Sequence, residues 1–371
     1  MKNGSRLLQI LLQASEKAAN VARACRQNEE LFPLLIQEKS SEEKNPRFFH
    51  DFKTLADVLI QEIIKHDIGV EFPELPKSTK GEETNVFKNA ANETIIVEVC
   101  PCCEDTAKLL ARVMNDDVAA RLLATEVHKD VQFSDVSTDV KEIPTDLEID
   151  MNDIGIWIDP IDSTADYINA IETVDEKTGL HVRGLRCTCV LIGAYQKSTG
   201  VPIMGIVNQP FYTNVDSRWT GKCHWGIATS DITKSSISNP INLNANKLIL
   251  ISQSEDEEVR TKLLDEGFTL LEATGAGYKL LQVALGHAGI YSLSKPSTYK
   301  WDTCGPQAIL ASLGGDVIKF KEFIVRPTAD DLTITYLSAC TSNNKSGLIA
   351  YRDVENLESV KEALCKPCLD T

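Results

Sequence analysis

The chain contains no apolar run approaching the roughly eighteen residues that a membrane span needs. Its N-terminus, MKNGSRLLQILLQ, begins like a leader, but Gln9 and Gln13 interrupt the apolar stretch. Leu7, Leu11, Ala14, Ala18, Val21 and Cys25 then continue at helical spacing, which predicts a core-facing helix instead. Basic stripes are missing too. A formal net charge of −16 excludes a nucleic-acid backbone as partner. No GxSxG, HExxH or GxxxxGK[ST] occurs, and the six histidines show no ligand spacing. The stretch GAGYKL (275–280) lacks the third glycine of a dinucleotide fingerprint, so a nucleotide-cofactor site is rejected. There is neither an internal repeat nor a low-complexity tract. The 11 cysteines are an odd number in a long chain, which argues for reduced thiols rather than a disulfide framework. Cys100, Cys102 and Cys103, together with Cys365 and Cys368, could make a four-thiolate zinc site. Neither cluster is a compact paired CxxC module, so small buried thiols are the expectation. A cytoplasmic monomer is the expectation.

What is present is acidic and localised. At 371 residues and 43% hydrophobic, the chain can bury one large core or two modest ones. The segment WIDPIDSTADYI (157–168) carries an apolar strand into two aspartates spaced i, i+3, Asp159 and Asp162, and then into Ser163 and Thr164. Carboxylates suit a hard divalent cation, and the free N–H groups of a helix start suit a phosphate. The plainer reading is a strand ending in an Asp-capped turn, which Pro160 also suits. Two further acidic stations accompany it. Gly81-Glu82-Glu83 follows the turn-rich FPELPKSTKG (72–81), where a solvated charge pair is the plain alternative. Asp302, in Trp301-Asp302-Thr303-Cys304-Gly305-Pro306, stands where an N-cap would, ahead of a helical run from Gln307 to Leu313.

Taken in order, GEE, D-P-I-D-S-T and W-D before a helix resemble the Mg²⁺-dependent, Li⁺-sensitive phosphomonoesterases, the superfamily of inositol monophosphatase and fructose-1,6-bisphosphatase. Within it, FKTLADVL (52–59), GAYQKSTGVPIMGIVNQP (193–210), GAGYK (275–279) and GLIAYR (347–352) resemble the inositol polyphosphate 1-phosphatase branch. Ser163, where inositol monophosphatases carry glycine, favours the same branch. The resemblance implies an α/β fold, the αβαβα five-layer sandwich. It implies two or three Mg²⁺ ions and Li⁺ as inhibitor. Glu82, Asp159 and the Ile161 carbonyl would hold one ion, and Asp159 would bridge to a second with Asp162 and Asp302. Glu82 and the Thr164 hydroxyl would position the attacking water, with Asp57 and Glu83 as supporting acids near a third ion. For Asp57 an i, i+4 ion pair with Lys53 is the alternative.

Substrate contacts are expected from Asp162, Ser163, Thr164 and Asp302, and from the second half of the chain. There Ser252 and Ser254 end a strand, Gly275, Ala276 and Gly277 let backbone approach a phosphate, and Lys279 adds a charge. The expected reaction is removal of the 1-phosphate of inositol 1,4-bisphosphate and inositol 1,3,4-trisphosphate. A 3′-phosphoadenosine 5′-phosphate phosphatase is the rival, with only Tyr278 and Tyr299 available for an adenine slot. A non-catalytic inositol-phosphate-binding protein is the rival from another class. Clustered carboxylates that destabilise a fold without cations speak against it.

Helical periodicity covers Leu7–Cys25, a run from Phe52 to Ile64, and a single run from Asp105 to His128 with Leu109, Leu110, Val113, Val118, Leu122 and Leu123 on one face. Strand patterns follow to about residue 230, then alternating strands and helices. The Ser/Asn-rich break near 235–246 suggests two subdomains, 1–235 with the metal site and 236–371 with substrate contacts.

Overall fold

The computed structural model describes residues 1–27, 32–39, 52–89, 91–238, 245–337 and 342–365. Five layers stack in it. Helices α1 (Asn3–Gln27) and α2 (Leu55–Glu71) cover one face of a six-stranded sheet. Its strands are β1 (Thr79–Gly81), β2 (Ile154–Asp162), β3 (Cys189–Gln196), β4 (Pro202–Val215), β5 (Arg218–Ala228) and β6 (Thr233–Ser235), in spatial order 6-5-4-3-2-1. Only β1 and β2 run parallel; the other neighbours are antiparallel. Helices α7 (Ala276–Ala284) and α8 (Lys300–Ala311) form the middle layer. A second sheet follows, of β7 (Leu248–Ile251), β8 (Thr269–Glu272), β9 (Ile290–Leu293), β10 (Asp316–Lys319) and β11 (Leu348–Tyr351), in order 8-7-9-11-10. Helices α6 (Glu257–Asp265), α9 (Phe320–Val325) and α10 (Val354–Leu364) close the outer face. Three apolar cores fill the spaces between layers, one under α1 and α2, one around the middle helices on both of their sides, and one under the outer helices. A sheet covered on both sides needs apolar residues on both faces. The unbroken burial of β2 from end to end meets that demand.

Three elements depart from the sequence expectation. The run from 105 to 128 is two helices, α3 (Cys103–Met114) and α4 (Asp117–Val127). Asn115 takes a left-handed C-cap conformation, and the Asp116 side chain caps the next helix by accepting the Ala119 N–H. Leu110, Val113 and Leu123 are buried, whereas Val118 and Leu122 are 71% and 66% exposed, because the break rotates α4. Phe52–Thr54 is not helical but pairs with Ile36–Glu38, and α2 starts at Leu55 behind the Thr54 cap.

The third departure concerns α8, which begins seven residues before Gln307, so Asp302 lies at its third position rather than at the N-cap, and Pro306 is inside the helix. The reason is packing. A Cβ on Gly305 would meet the Ile192 carbonyl of β3 at 2.6 Å, so glycine lets α8 lie directly on the sheet. Pro306 removes the N–H that would have bonded Asp302's carbonyl.

The thiols depart as well. The nine cysteines among the described residues are all free, but Cys102 is exposed and Cys100, Cys103 and Cys365 are only partly covered, so the buried-thiol expectation fails for these clusters. They sit at element ends, with Cys103 and Cys365 packed against the edge of a core; the Cys102 thiol donates to Asp105 and the Cys365 thiol to the Phe323 carbonyl. Cys368 lies outside the described residues. No helix among the described residues is long and apolar enough to cross a membrane.

Candidate metal centre and substrate cleft

Side chains alternate across a strand, so residues spaced i, i+3 point to opposite faces. Asp159 and Asp162 escape this rule. Asp159 pairs with Leu191 and Asp162 with Cys189, so three steps along β2 oppose two along β3. The extra residue is a β-bulge, a position where the missing N–H of Pro160 is tolerated. The bulge brings the two carboxylates together. Asp302, carried in by the first turn of α8, completes a group in which one carboxylate oxygen from each acid lies within 4.8 Å of the others.

The remaining sequence-derived residues converge on the same place. Glu82 and Glu83 leave β1 beside β2, with the Glu82 N–H donating to the Ile158 carbonyl at 3.2 Å. Gln61 of α2 clamps the Glu83 backbone, accepting its N–H at 2.9 Å and donating to its carbonyl. Asp57 is fully buried and closes a capping box, accepting the Thr54 N–H and hydroxyl at 2.7 and 2.6 Å. Lys53 donates to Thr84 and to the Val86 carbonyl. The Thr164 hydroxyl lies 3.3 Å from Asp57 Oδ1 and 3.1 Å from the Ile161 carbonyl, which ties the supporting acid to the bulge. Ser163 takes a left-handed conformation (φ 73°) as cap of α5 (Thr164–Asn169), and its hydroxyl donates to Asp166 at 2.6 Å.

Electrostatically the group is incomplete. Burial and the neighbouring charges of Glu82, Asp162 and Asp302 hold the Asp159 carboxyl well above the usual carboxylate range. Burial, then Asp162 and Glu82, do the same to Asp302. Burial lifts Asp57 to about 6, against the opposing hydroxyl bond from Thr54. Burial and then Glu82 lift Glu83 to about 8. Asp162 rises to about 6 by burial, held back by Lys279 and by the N–H groups of Tyr278 and Ala276. The buried Asp159 Oδ1 has no hydrogen-bond partner. An orphaned oxygen among carboxylates that cannot all ionise alone fits a hard cation. The all-oxygen donor set fits Mg²⁺ rather than a softer metal.

Four residues here escaped the sequence reading. The Lys39 ammonium lies 2.6 Å from both Glu82 and Glu83, a tethered cation on two of the acids. Nothing near Lys39 in sequence signals this. Gln61 and Thr54 act through backbone clamps that no motif announces. Asp166 was readable: S-T-A-D is a capping pattern, and Asp166 receives both the Ser163 hydroxyl and the Gly184 N–H.

The acids floor a cleft of about 740 Å³, within the usual range for small-ligand sites. Ser163, Thr164, Ser252, Gly275, Ala276 and Lys279 line it, whereas Ser254 is exposed and not part of its lining. The N-terminus of α7 does something other than expected. The Ala276 and Tyr278 N–H groups donate to the two oxygens of Asp162, both at 3.1 Å, so these amides hold a protein carboxylate. A Cβ on Gly277 would meet the end of the Leu191 side chain at 2.4 Å, so glycine lets this turn of α7 lie close to β3. Lys279 donates to the Ala273 carbonyl at 2.8 Å and lies over the Tyr291 ring.

Comparison with known proteins agrees with this geometry. The chain is 42% identical over 387 residues to an inositol polyphosphate 1-phosphatase from Bos taurus and 41% identical over 386 residues to one from Homo sapiens, each covering 96% of both chains. It is 27% identical to a 3′(2′),5′-bisphosphate nucleotidase from Mus musculus, over 62% of this chain and 70% of that one. Among solved structures, the extragenic suppressor protein suhB of Bartonella henselae shares the layered α/β fold (TM-score 0.54, 14% identity, 96% and 97% covered). An inositol monophosphatase from Anabaena does so too (TM-score 0.51, 14% identity, 99% of both chains). The model describing the inositol monophosphatase family matches residues 101–355, and with the three-carboxylate floor and the relatives beside it, the chain belongs to that family.

Proposed function

We propose that this chain removes the 1-phosphate from inositol 1,4-bisphosphate and inositol 1,3,4-trisphosphate, in a reaction that needs Mg²⁺ and is inhibited by Li⁺. It is a phosphoric monoester hydrolase acting on inositol phosphates, as its 1-phosphatase relatives are named. The observation that carries the reading is the trio Asp159, Asp162 and Asp302, buried together at the floor of a cleft, with Asp159 Oδ1 unpartnered. Glu82, Asp159, the Ile161 carbonyl, Asp162 and Asp302 would hold the metal, with Asp57 and Glu83 in support. Bound there, Mg²⁺ lowers the pKa of water and covers the charge of the phosphoryl oxygens. The protein's own residues do the placing. Asp57 accepts a hydrogen bond from the Thr164 hydroxyl, which keeps its proton and leaves its oxygen lone pairs to accept from the attacking water beside Glu82. Ser163 and Thr164 would face the scissile phosphate, and Ser252, Gly275, Ala276 and Lys279, which line the same cleft, would wall the inositol ring. Ser254 would contribute through Ser252, whose hydroxyl lies 3.4 Å away. Li⁺ is close to Mg²⁺ in size but carries half its charge, so exchange would leave the phosphate badly neutralised and halt turnover.

For the nucleotide reading, Tyr278 is buried outside the cleft and Tyr299 already stacks on Trp301 at 4.5 Å, so neither ring offers the expected slot. The test is phosphate release with Mg²⁺ from inositol 1,4-bisphosphate, inositol 1-phosphate and 3′-phosphoadenosine 5′-phosphate, with and without Li⁺. Selective, Li⁺-sensitive loss of the 1-phosphate is expected. Preference for the nucleotide would keep the metal centre and reject the substrate, and no turnover of any would reject both.

A further inference from the structure

A bisphosphate brings a second phosphate that the acidic floor repels, and something in the cleft must receive it. Among the described residues, three cationic side chains line the cleft: Lys39, Lys279 and Arg183. Lys39 is engaged by Glu82 and Glu83, and Lys279 by the Ala273 carbonyl and the Tyr291 ring. The Arg183 guanidinium has no ion pair or side-chain hydrogen bond among the described residues, and the residue is exposed. The remaining acids of the wall are already committed. Glu272 pairs with Arg260 at 2.8 Å, and Asp166 accepts the Ser163 hydroxyl and the Gly184 N–H.

The backbone at Arg183 is fixed from both sides. On one side, the Val182 carbonyl accepts the Thr274 N–H at 3.0 Å and the Thr274 hydroxyl at 3.2 Å, next to Gly275. On the other, the Gly184 N–H donates to Asp166 Oδ1 at 2.9 Å, and Asp166 in turn holds Ser163. Gly184 has φ 101°, a conformation that favours glycine, and it lets the chain turn into the Asp166 carboxylate. His181–Arg183 also pairs with Thr173–Val174. A long cationic side chain is thus mounted on fixed backbone between the Ser163–Asp166 and Thr274–Gly275 segments, on a residue that lines the cleft. A guanidinium grips phosphate oxygens in a bidentate fork, better than a lysine point charge.

We infer that Arg183 is the receptor for the second, non-scissile phosphate of the substrate and thereby a specificity-determining residue. This rests on the inositol bisphosphate reading above. Inorganic phosphate, which fills only the metal-side position, is the internal control. In the Mg²⁺-loaded full chain, R183Q is expected to raise KM for inositol 1,4-bisphosphate about tenfold, with kcat changed less than about twofold. The inhibition constant for inorganic phosphate should stay where it is, and R183K should recover part of the loss. An unchanged KM in R183Q, or a KM and a phosphate inhibition constant that rise in step, would overturn the assignment. A wild-type chain that does not hydrolyse the bisphosphate at all would instead fail the substrate reading, and the inference with it.

Discussion

At the scale of single residues, the centre is a set of acids waiting for positive charge. Asp159→Asn should lower kcat by about a thousandfold or more, because it removes the shared ligand of the trio. The same change should raise the melting temperature of the chelated, metal-free protein, since the cost of burying an acid that ionises freely once unfolded disappears. Opposite signs in activity and in metal-free stability are the result to look for, and a metal-free protein made less stable by the change would contradict this account. Lys39→Met tests the tethered cation. With the ammonium gone from Glu82 and Glu83, Mg²⁺ should bind about tenfold more tightly in a calorimetric titration, the equivalent of about 1.4 kcal/mol. Unchanged affinity would mean that Lys39 yields its place without cost. The acids themselves were legible in the sequence because carboxylates at a strand exit have few structural uses as a group. Lys39 and Gln61 were not, since each works by a meeting of segments distant in the chain. A lone lysine or arginine in a sequence looks the same whether it meets an acid, a phosphate or water.

At the scale of elements, the decisive devices are a bulge, a cap and a glycine contact. The bulge at Pro160 and Ile161 turns a spacing that should separate two side chains into one that joins them. The motif was readable, but the geometry that makes it work was hidden in the pairing register. The α3–α4 break was written as Asn115-Asp116 and overridden in the sequence reading by an apolar period that tolerated one more turn. Helix α8 hid its start because Gly305 and Pro306 look like breakers, and only the sheet beneath explains them. Gly305→Ala should therefore cost about 2–3 kcal/mol in chemical denaturation, since the added methyl meets the Ile192 carbonyl. It should also lower kcat, because α8 carries Asp302 and would shift away from β2. A variant that loses stability at full activity would show that α8 absorbs the methyl without moving its first turn.

For the whole molecule, the order of layers was available only through resemblance, because periodicity gives elements and not their stacking. The net charge of −16 and the buried acids combine in one pH behaviour. Asp57, Asp162 and Glu83 keep their protons in the folded chain up to about 6, 6 and 8, above their ordinary 3.8 and 4.5. The folded state thus binds more protons than the unfolded one across this window, and stability falls as pH rises through it. Below about pH 4 both states are protonated and the penalty is absent, and above about pH 8 it is complete. Melting curves of the chelated protein from pH 4 to 8 should fall steadily, and saturating Mg²⁺ should flatten them. A flat metal-free profile would show that water or counter-ions already relieve the acids. Asp162 adds something that charge counting misses. Its oxygens are grasped by the first amides of α7, so the carboxylate proposed as a metal ligand also holds the helix that walls the cleft. Any pull on that carboxylate is felt at two protons, those of Ala276 and Tyr278. Their exchange with deuterium should slow as the seat is filled, which makes the peptide backbone itself a gauge of occupancy, readable without a turnover assay.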